Sequence, residues 1–309
     1  MGESDPSLAG ERDPSPTDEP EPSWQARRSR LSESPLTVTG RVVSASNLVL
    51  QASYSQPEVG ASALCVYKPA RGEKPLWDFP GQVLGHHEVA AFLVAAVLDW
   101  PVVPATVWRE DAPAGAGSVQ EWVDADVTED VGIFPPDHLP PDFLPVLTGT
   151  GPDGHDVVVA HRDTERLRDI ALFDAVINNS DRKAGHLLGD GDGMVGIDHG
   201  VAFHQDDKLR TVLWGFAGQA IGSRRRAALG TLQQALAEAA APGAGDRTDL
   251  RGRTGVGASA TGAALAAELT GLLSARQRSA LAARVDRLLA DGRFPLPTPG
   301  WPAVPWPLW

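Results

Sequence analysis

The sequence predicts an α+β protein of two lobes: an antiparallel sheet carrying one helix, followed by a mainly helical half. Three observations predict it. Apolar and polar residues alternate in short runs between residues 36 and 123, the period of a half-buried strand. One long apolar stretch of helical spacing interrupts those runs. Beyond residue 163 the apolar spacing is helical almost throughout, broken by a single glycine-rich hairpin.

Each element follows in order. The opening stretch "MGESDPSLAGERDPSPTDEPEPS" is acidic and rich in Pro and Ser, the opposite of a signal or transit peptide, and residues 1–35 are expected to be a disordered tail. "LTVTGRVVSASNLVLQASY" has the pattern of two strands joined by a tight connection, and "ALCVYKP" of a third. "PGQVLGHHEVAAFLVAAVLDW" is a helix with Val89, Phe92, Leu93 and Val97 near one face and His86 and His87 in a solvated first turn. "VVPATVWRE" and "AGSVQEWV", separated by the turn "DAPAGAG", complete an N-lobe over residues 36–123.

"DVGIFPPDHLPPDFLPVLTGTGPDGHD" then has the Pro and Gly content of a long connection with short helical turns. "DTERLRDIALFDAVINN" repeats Leu167, Ile170, Phe173 and Ile177 at helical spacing, with Asp163 as its N-cap. Further helices are predicted at about 226–241, 261–273 and 275–290, so that residues 124–300 form a C-lobe. The Trp- and Pro-rich residues 301–309 are expected to pack back on the domain rather than to serve a partner as a ligand.

Composition narrows the function. A formal net charge of −13 argues against a nucleic-acid surface, which needs clustered Lys and Arg; Arg224-Arg225-Arg226 is the one compact basic cluster. The longest apolar run, Val89 to Leu98, is shorter than the roughly 18 residues of a membrane span, so no integral membrane association is expected. The single cysteine, Cys65, lies in an apolar run and forms no internal disulfide, which points to a reducing, cytoplasmic setting. Only four of the 27 cationic residues are lysines, and Lys68 is the one in apolar surroundings.

The chemistry gathers around "NNSDRKAGHLLGDGDGMVGIDHG", residues 178 to 200. The central "GDGDG" needs only to make a turn. Antiparallel pairing of "GHLL" with "MVGID" places His186 and Asp198 opposite or nearly opposite each other at the hairpin's open end, and Asp181 falls in the loop beside them. A loop carboxylate, a metal-binding side chain five residues on and a second carboxylate across a hairpin form the catalytic half of a kinase-like phosphotransferase. Such an enzyme also needs a strand lysine and a helix glutamate, and Lys68 and Glu88 supply them in the required order. Each residue alone has a bland reading as a solvated side chain or turn former; the ordered set argues against it.

With "VYKPARGEKPLWDFP", "HHEVAAF", "NNSDRKAGHLL" and "IDHG", the chain resembles the phosphatidylinositol 3- and 4-kinase-like superfamily over roughly residues 36–300. Within it, the chain is most similar to an actinobacterial group of small kinase-like proteins; type II phosphatidylinositol 4-kinases and HipA-type kinases are more distant. The resemblance implies a two-lobed protein-kinase-like fold, ATP with Mg²⁺ or Mn²⁺ as cofactors, and transfer of the γ-phosphate to a protein, lipid or small-molecule acceptor. It implies that Lys68 contacts the α/β-phosphates and pairs with Glu88, and that backbone around Gln120, Glu121 and Trp122 holds adenine. Asp181 is then the catalytic-loop aspartate, His186 and Asp198 the metal ligands, and "SASN", with Ser46 and Asn47, the phosphate-covering loop. His186 stands where an Asn is usual, and imidazole is a softer ligand than Mg²⁺ prefers. The loop also lacks a G-x-G-x-x-G pattern. A nucleotide-binding pseudokinase acting on a partner is therefore the alternative to an active kinase.

Overall fold

In a computed structural model, the structure describes residues 23–42, 47–56, 61–79, 81, 83–241 and 258–309. The alternating runs form one five-stranded antiparallel sheet of order β1-β2-β3-β5-β4, built from β1 (Leu36–Arg41), β2 (Leu50–Gln56), β3 (Ala61–Pro69), β4 (Thr106–Arg109) and β5 (Gly117–Glu121). Strand β3 is central. Cys65 and Tyr67 face the core, while Val66 and Lys68 alternate onto the half-buried face, opposite Gln120 and Ser118 of β5. A Cβ at Gly117 would collide with the Lys68 carbonyl, so this close strand approach requires glycine.

Helix α2 (Leu84–Leu98) is apolar all round, and all of its 15 residues except His86 and Ala96 are buried. It touches β4 and β5 on one side and the C-lobe helices α4 (Gly222–Ala240) and α5 (Ala258–Leu272) on others. His87 is 1% exposed, not solvated as expected. Its Nδ1 lies 2.7 Å from Gly200 O and its Nε2 3.0 Å from the Gln277 amide on α6 (Ala275–Asp291), so each ring nitrogen has a buried partner.

The expected disordered tail, residues 1–35, needs correction at its C-terminal end. Residues 1–22 lie outside the described residues, but Trp24–Glu33 form helix α1, with the Ser23 side chain accepting from Ala26 N. Trp24 and Leu31, seven residues apart, fall on one face. Trp24 meets Phe92 of α2 edge-on at 6.0 Å, and Leu31 is fully buried. Arg109 donates to Leu31 O and Ser34 O, and Arg28 donates to Glu268 of α5 at 3.1 Å. The acidic, proline-rich residues before Ser23 obscured this proline-free helical segment.

The second correction concerns the stretch read as a long connection. It contains β6 (Val131–Phe134) and β7 (Phe143–Thr150), which flank β8 (Asp156–Arg162) in a three-stranded antiparallel sheet of order β6-β8-β7. Pro145 hid β7. It sits on an edge strand, beside a register shift, where a missing N–H breaks no interior ladder. A small apolar cluster of Phe143, Val158 and Ala160 fastens this sheet.

Helix α3 (Glu165–Ile177) follows, capped by the Thr164 side chain rather than by Asp163, which instead binds Arg168. A short hairpin of β9 (Leu187–Leu188) and β10 (Val195–Gly196) precedes α4, α5 and α6. The architecture is the expected two-lobed α+β fold, an antiparallel-sheet lobe with one central helix against a mainly helical lobe. No described helix is long and apolar enough to cross a membrane.

Because Leu31 anchors α1 in a fully closed site, Leu31→Ala is expected to lower unfolding free energy by about 2–4 kcal/mol through lost burial and a residual cavity. Urea denaturation measures this. A change below about 0.5 kcal/mol would show that α1 does not dock in solution.

Candidate active site

Lys68 sits at the meeting point of both lobes. Its ammonium donates to Glu88 Oε1 and, at 2.9 Å, to Asp198 Oδ1. Glu88 Oε2 in turn accepts from the backbone N–H of His199 at 2.9 Å, so one helix glutamate orients both the strand lysine and the segment after β10. Glu88 is 3% exposed at its side chain, whereas that of Asp198 is 53% exposed and opens onto the cleft. Asp198 adopts φ 62, a left-handed conformation uncommon for a non-glycine residue, held where its carboxylate meets Lys68.

Electrostatics follow from this geometry. The Lys68 ammonium holds the Asp198 carboxyl well below the usual aspartate range, against the opposing effect of partial desolvation in the cleft. Burial alone would pull Lys68 down, but the Asp198 and Glu88 carboxylates outweigh it and raise the ammonium above the ordinary lysine range. Burial pushes Glu88 up, with Lys68 pulling against it.

The loop from Asn178 to His186 is built on buried polar groups. Asn178 ends α3 in the left-handed region, and its side chain donates to His204 O and Asp206 O and accepts from Lys208 N. Asn179 donates to Asp174 and accepts from Asp181 N at 3.1 Å, which aims the Asp181 backbone. Asp181 keeps its carboxylate 28% exposed, 3.5 Å from Lys183 Nζ. Burial raises the Asp181 carboxyl, partly offset by Lys183.

Arg182, fully buried, was not anticipated as a site residue. Its guanidinium donates to Asp174 of α3 at 2.9 Å, to Ile197 O at 2.9 Å and to His186 O at 3.2 Å, and its Nη2 meets His199 Nε2 at 2.7 Å. A Cβ at Gly196 would press against that guanidinium, so glycine makes room for it. The available signal was Asp174, an acid on the otherwise apolar face of α3, with an arginine directly after Asp181.

His186 Nε2 lies 3.5 Å from Asp198 Oδ2, as the hairpin register predicts. Burial lowers the His186 imidazole to about 4, with Asp198 opposing and Arg182 reinforcing, so the ring is neutral at physiological pH and can ligate a metal. Its Nδ1 is buried with no hydrogen-bond partner among the described residues. No group of three or more His, Cys, Asp or Glu side chains that could hold a metal occurs among the described residues. The pair His186 and Asp198 still fits a divalent cation that takes its remaining ligands from phosphates and water, as Mg²⁺ characteristically does.

In the stretch expected to hold adenine, side-chain and backbone donors are engaged within the sheet. Gln120 is buried, and its side chain donates to Thr106 at 2.9 Å. Glu121 N donates to Ala105 O at 2.9 Å and Trp122 N to Leu64 O at 3.2 Å, so those two amides already serve the sheet. Ser46 lies outside the described residues. Asn47 accepts from Lys74 N at 3.0 Å, which ties Asn47 to the segment after β3.

Of the remaining sequence features, His161 is buried against Phe216 and accepts from Gly215 N, a packing role. Arg224 and Arg225 are taken up by Asp169. The C-terminal segment packs back in part: Lys208 and Arg210 lie over the Trp301 ring, Ala303 O accepts from Thr211 N and the Trp214 indole, and Leu308 O accepts from Ala184 N inside the loop between Asp181 and His186, while Trp306 and Trp309 are exposed.

No family model matches the chain. It is 39% identical over 289 residues to Protein Rv2133c of Mycobacterium tuberculosis, covering 90% of this chain and 93% of that one. The chain belongs to the same family as that protein. Among solved structures it is similar to the Golgi casein kinase, at 13% identity and TM-score 0.46 over 87% of this chain and 74% of that one. It is also similar to hydra Fam20 with sugar, at 13% identity and TM-score 0.46 over 85% and 86%.

The buried contact between α2 and the segment after Asp198 makes a pH prediction. Burial lowers His87 from 6.5 to about 4. The unfolded chain therefore takes up a proton before the folded one does, and the stability present above 6.5 is lost as pH falls toward 4. For this one group the slope approaches about 1.4 kcal/mol per pH unit. His87→Gln is expected to flatten the acid side of a urea-derived stability profile; an unchanged slope would show that His87 titrates normally.

Proposed function

We propose that this chain is an ATP-dependent phosphotransferase of the phosphatidylinositol 3-/4-kinase-like superfamily. It would work in the cytoplasm, with residues 24–123 as the nucleotide lobe and residues 124–300 as the catalytic lobe. The single observation that carries the reading is Lys68, held at once by Glu88 from α2 and Asp198 from beyond the hairpin. In a nucleotide complex the ammonium would exchange Asp198 for the α/β-phosphates while Glu88 keeps it in place. Asp198 and neutral His186 would hold Mg²⁺ or Mn²⁺, which when bound supplies positive charge to the phosphates. Asp181 would orient the acceptor hydroxyl and receive its proton; its raised carboxyl suits that exchange better than a strongly acidic one would.

The acceptor would be a protein, lipid or small molecule. The acidic chain, at −13 net charge, gives nucleic acid no support, and the free buried Cys65 suits a reducing compartment.

A second reading, a nucleotide-binding pseudokinase acting on a partner, is favoured by the engaged amides of Glu121 and Trp122 and by an imidazole at a hard-metal position. Variants separate the two. Asp198→Ala is expected to abolish the tightening of ATP by Mg²⁺ or Mn²⁺ in calorimetric titration, together with transfer. Asp181→Ala is expected to abolish transfer while metal–ATP affinity stays within about threefold of wild type. Equal ATP affinity in wild type and Asp198→Ala at every metal concentration would remove Asp198 from the metal site and favour the pseudokinase.

A further inference from the structure

A cavity of about 550 Å³ lies in the C-lobe, bounded by the end of α3, the segment around Leu209, the second half of α6 and residues 293–298. That is the size of a small-molecule site. Its lining mixes apolar groups, Trp214, Leu288 and Leu296 among them, with three arginines and two aspartates. The charges are unevenly answered. Arg287 is paired with Asp207 at 2.9 Å. Arg284 and Arg293 have no carboxylate within ion-pair distance among the described residues. Arg293 donates to Gly218 O at 2.7 Å, and Arg284 to Val176 O at 3.0 Å and His204 O at 3.2 Å.

Arg284 is 4% exposed, and its Nη2 is buried with no hydrogen-bond partner among the described residues. A buried guanidinium hydrogen-bonded only to carbonyls, with Asp207 acting on it from beyond ion-pair distance, is an expensive arrangement unless an anion completes it. Burial pulls the pKa of its guanidinium down to about 10, with the Asp207 carboxylate opposing. Its carbonyl contacts tie α6 to the end of α3 but leave Nη2 without an acceptor.

We propose that this cavity is a binding site for a small organic carboxylate with an apolar body, its head between Arg284 and Arg293 and its body along Trp214, Leu288 and Leu296. A single negative charge fits better than a phosphate dianion because Asp207 and Asp291 line the same space. The site also touches the proposed catalytic loop: Asn178 lines it, and the same side chain holds His204 O, Asp206 O and Lys208 N. A ligand there would stabilise the base of the loop that carries Asp181. The inference does not depend on the phosphotransfer reading, since it concerns binding alone.

Decanoate is the probe. Calorimetric titration of the full chain at neutral pH is expected to show saturable one-to-one binding, with decanol at least about tenfold weaker and inorganic phosphate not competing. Arg284→Met risks the fold through the contacts to Val176 and His204, so Arg293→Gln is the informative variant, expected to weaken decanoate about fivefold or more. A photoreactive decanoate analogue is expected to label residues 284–298. No saturation by about 1 mM, equal affinity for decanol, displacement by phosphate, unchanged affinity in Arg293→Gln, or labelling confined to another region would each overturn the proposal.

Discussion

Helix α2 is buried on every side, and the geometry of the cleft depends on that. A helix packed only on its own sheet could swing and carry Glu88 away from Lys68. Here the sheet, α4, α5 and α1 enclose it, and His87 ties its first turn to Gly200 and Gln277. Glu88 is thereby delivered to a fixed point where one carboxylate meets Lys68 and the other oxygen meets the backbone after Asp198. Removing one member of such a buried pair strands the other charge, at a cost of several kcal/mol, so the arrangement persists only as a set.

A second buried hub, Arg182 with Asp174, does for the C-lobe what α2 does for the N-lobe. Its five donors reach α3, the residue before Asp198 and His186 O, and Nη2 meets the ring that follows Asp198. The loop and the hairpin therefore cannot shift independently. Both hubs converge on residues 197–200: Glu88 from above through His199 N, Arg182 from below through Ile197 O. Asp198, in its left-handed conformation between them, is over-determined by its neighbours.

Much of this was legible from patterns with a short period. The five-stranded sheet followed from two-residue alternation, and the joining of Lys68, Glu88, His186 and Asp198 from the order of strand, helix and hairpin. Features that depend on tertiary partners were not legible. Prolines in "PPDHLPPDFLP" resemble a loop until β8 makes β7 an edge strand, where Pro145 is tolerated. His87 looks like a surface residue until Gln277, far along the chain, supplies its partner. Helix α1 was masked by the composition preceding it. The amides of Glu121 and Trp122 look free in a strand pattern until Ala105 and Leu64 claim them. Periodicity reports which face is buried; it does not report what a buried polar group will meet.

On the proposed reading, the Lys68–Glu88–Asp198 network is the nucleotide site of a phosphotransferase. It is tested most directly by incubating the purified chain with γ-labelled ATP and Mg²⁺ or Mn²⁺ and following both labelled protein and released phosphate. Metal-dependent label transfer or hydrolysis that disappears in Lys68→Met is expected. Turnover in wild type that persists unchanged in Lys68→Met, or no turnover together with no ATP binding in either metal, would contradict it.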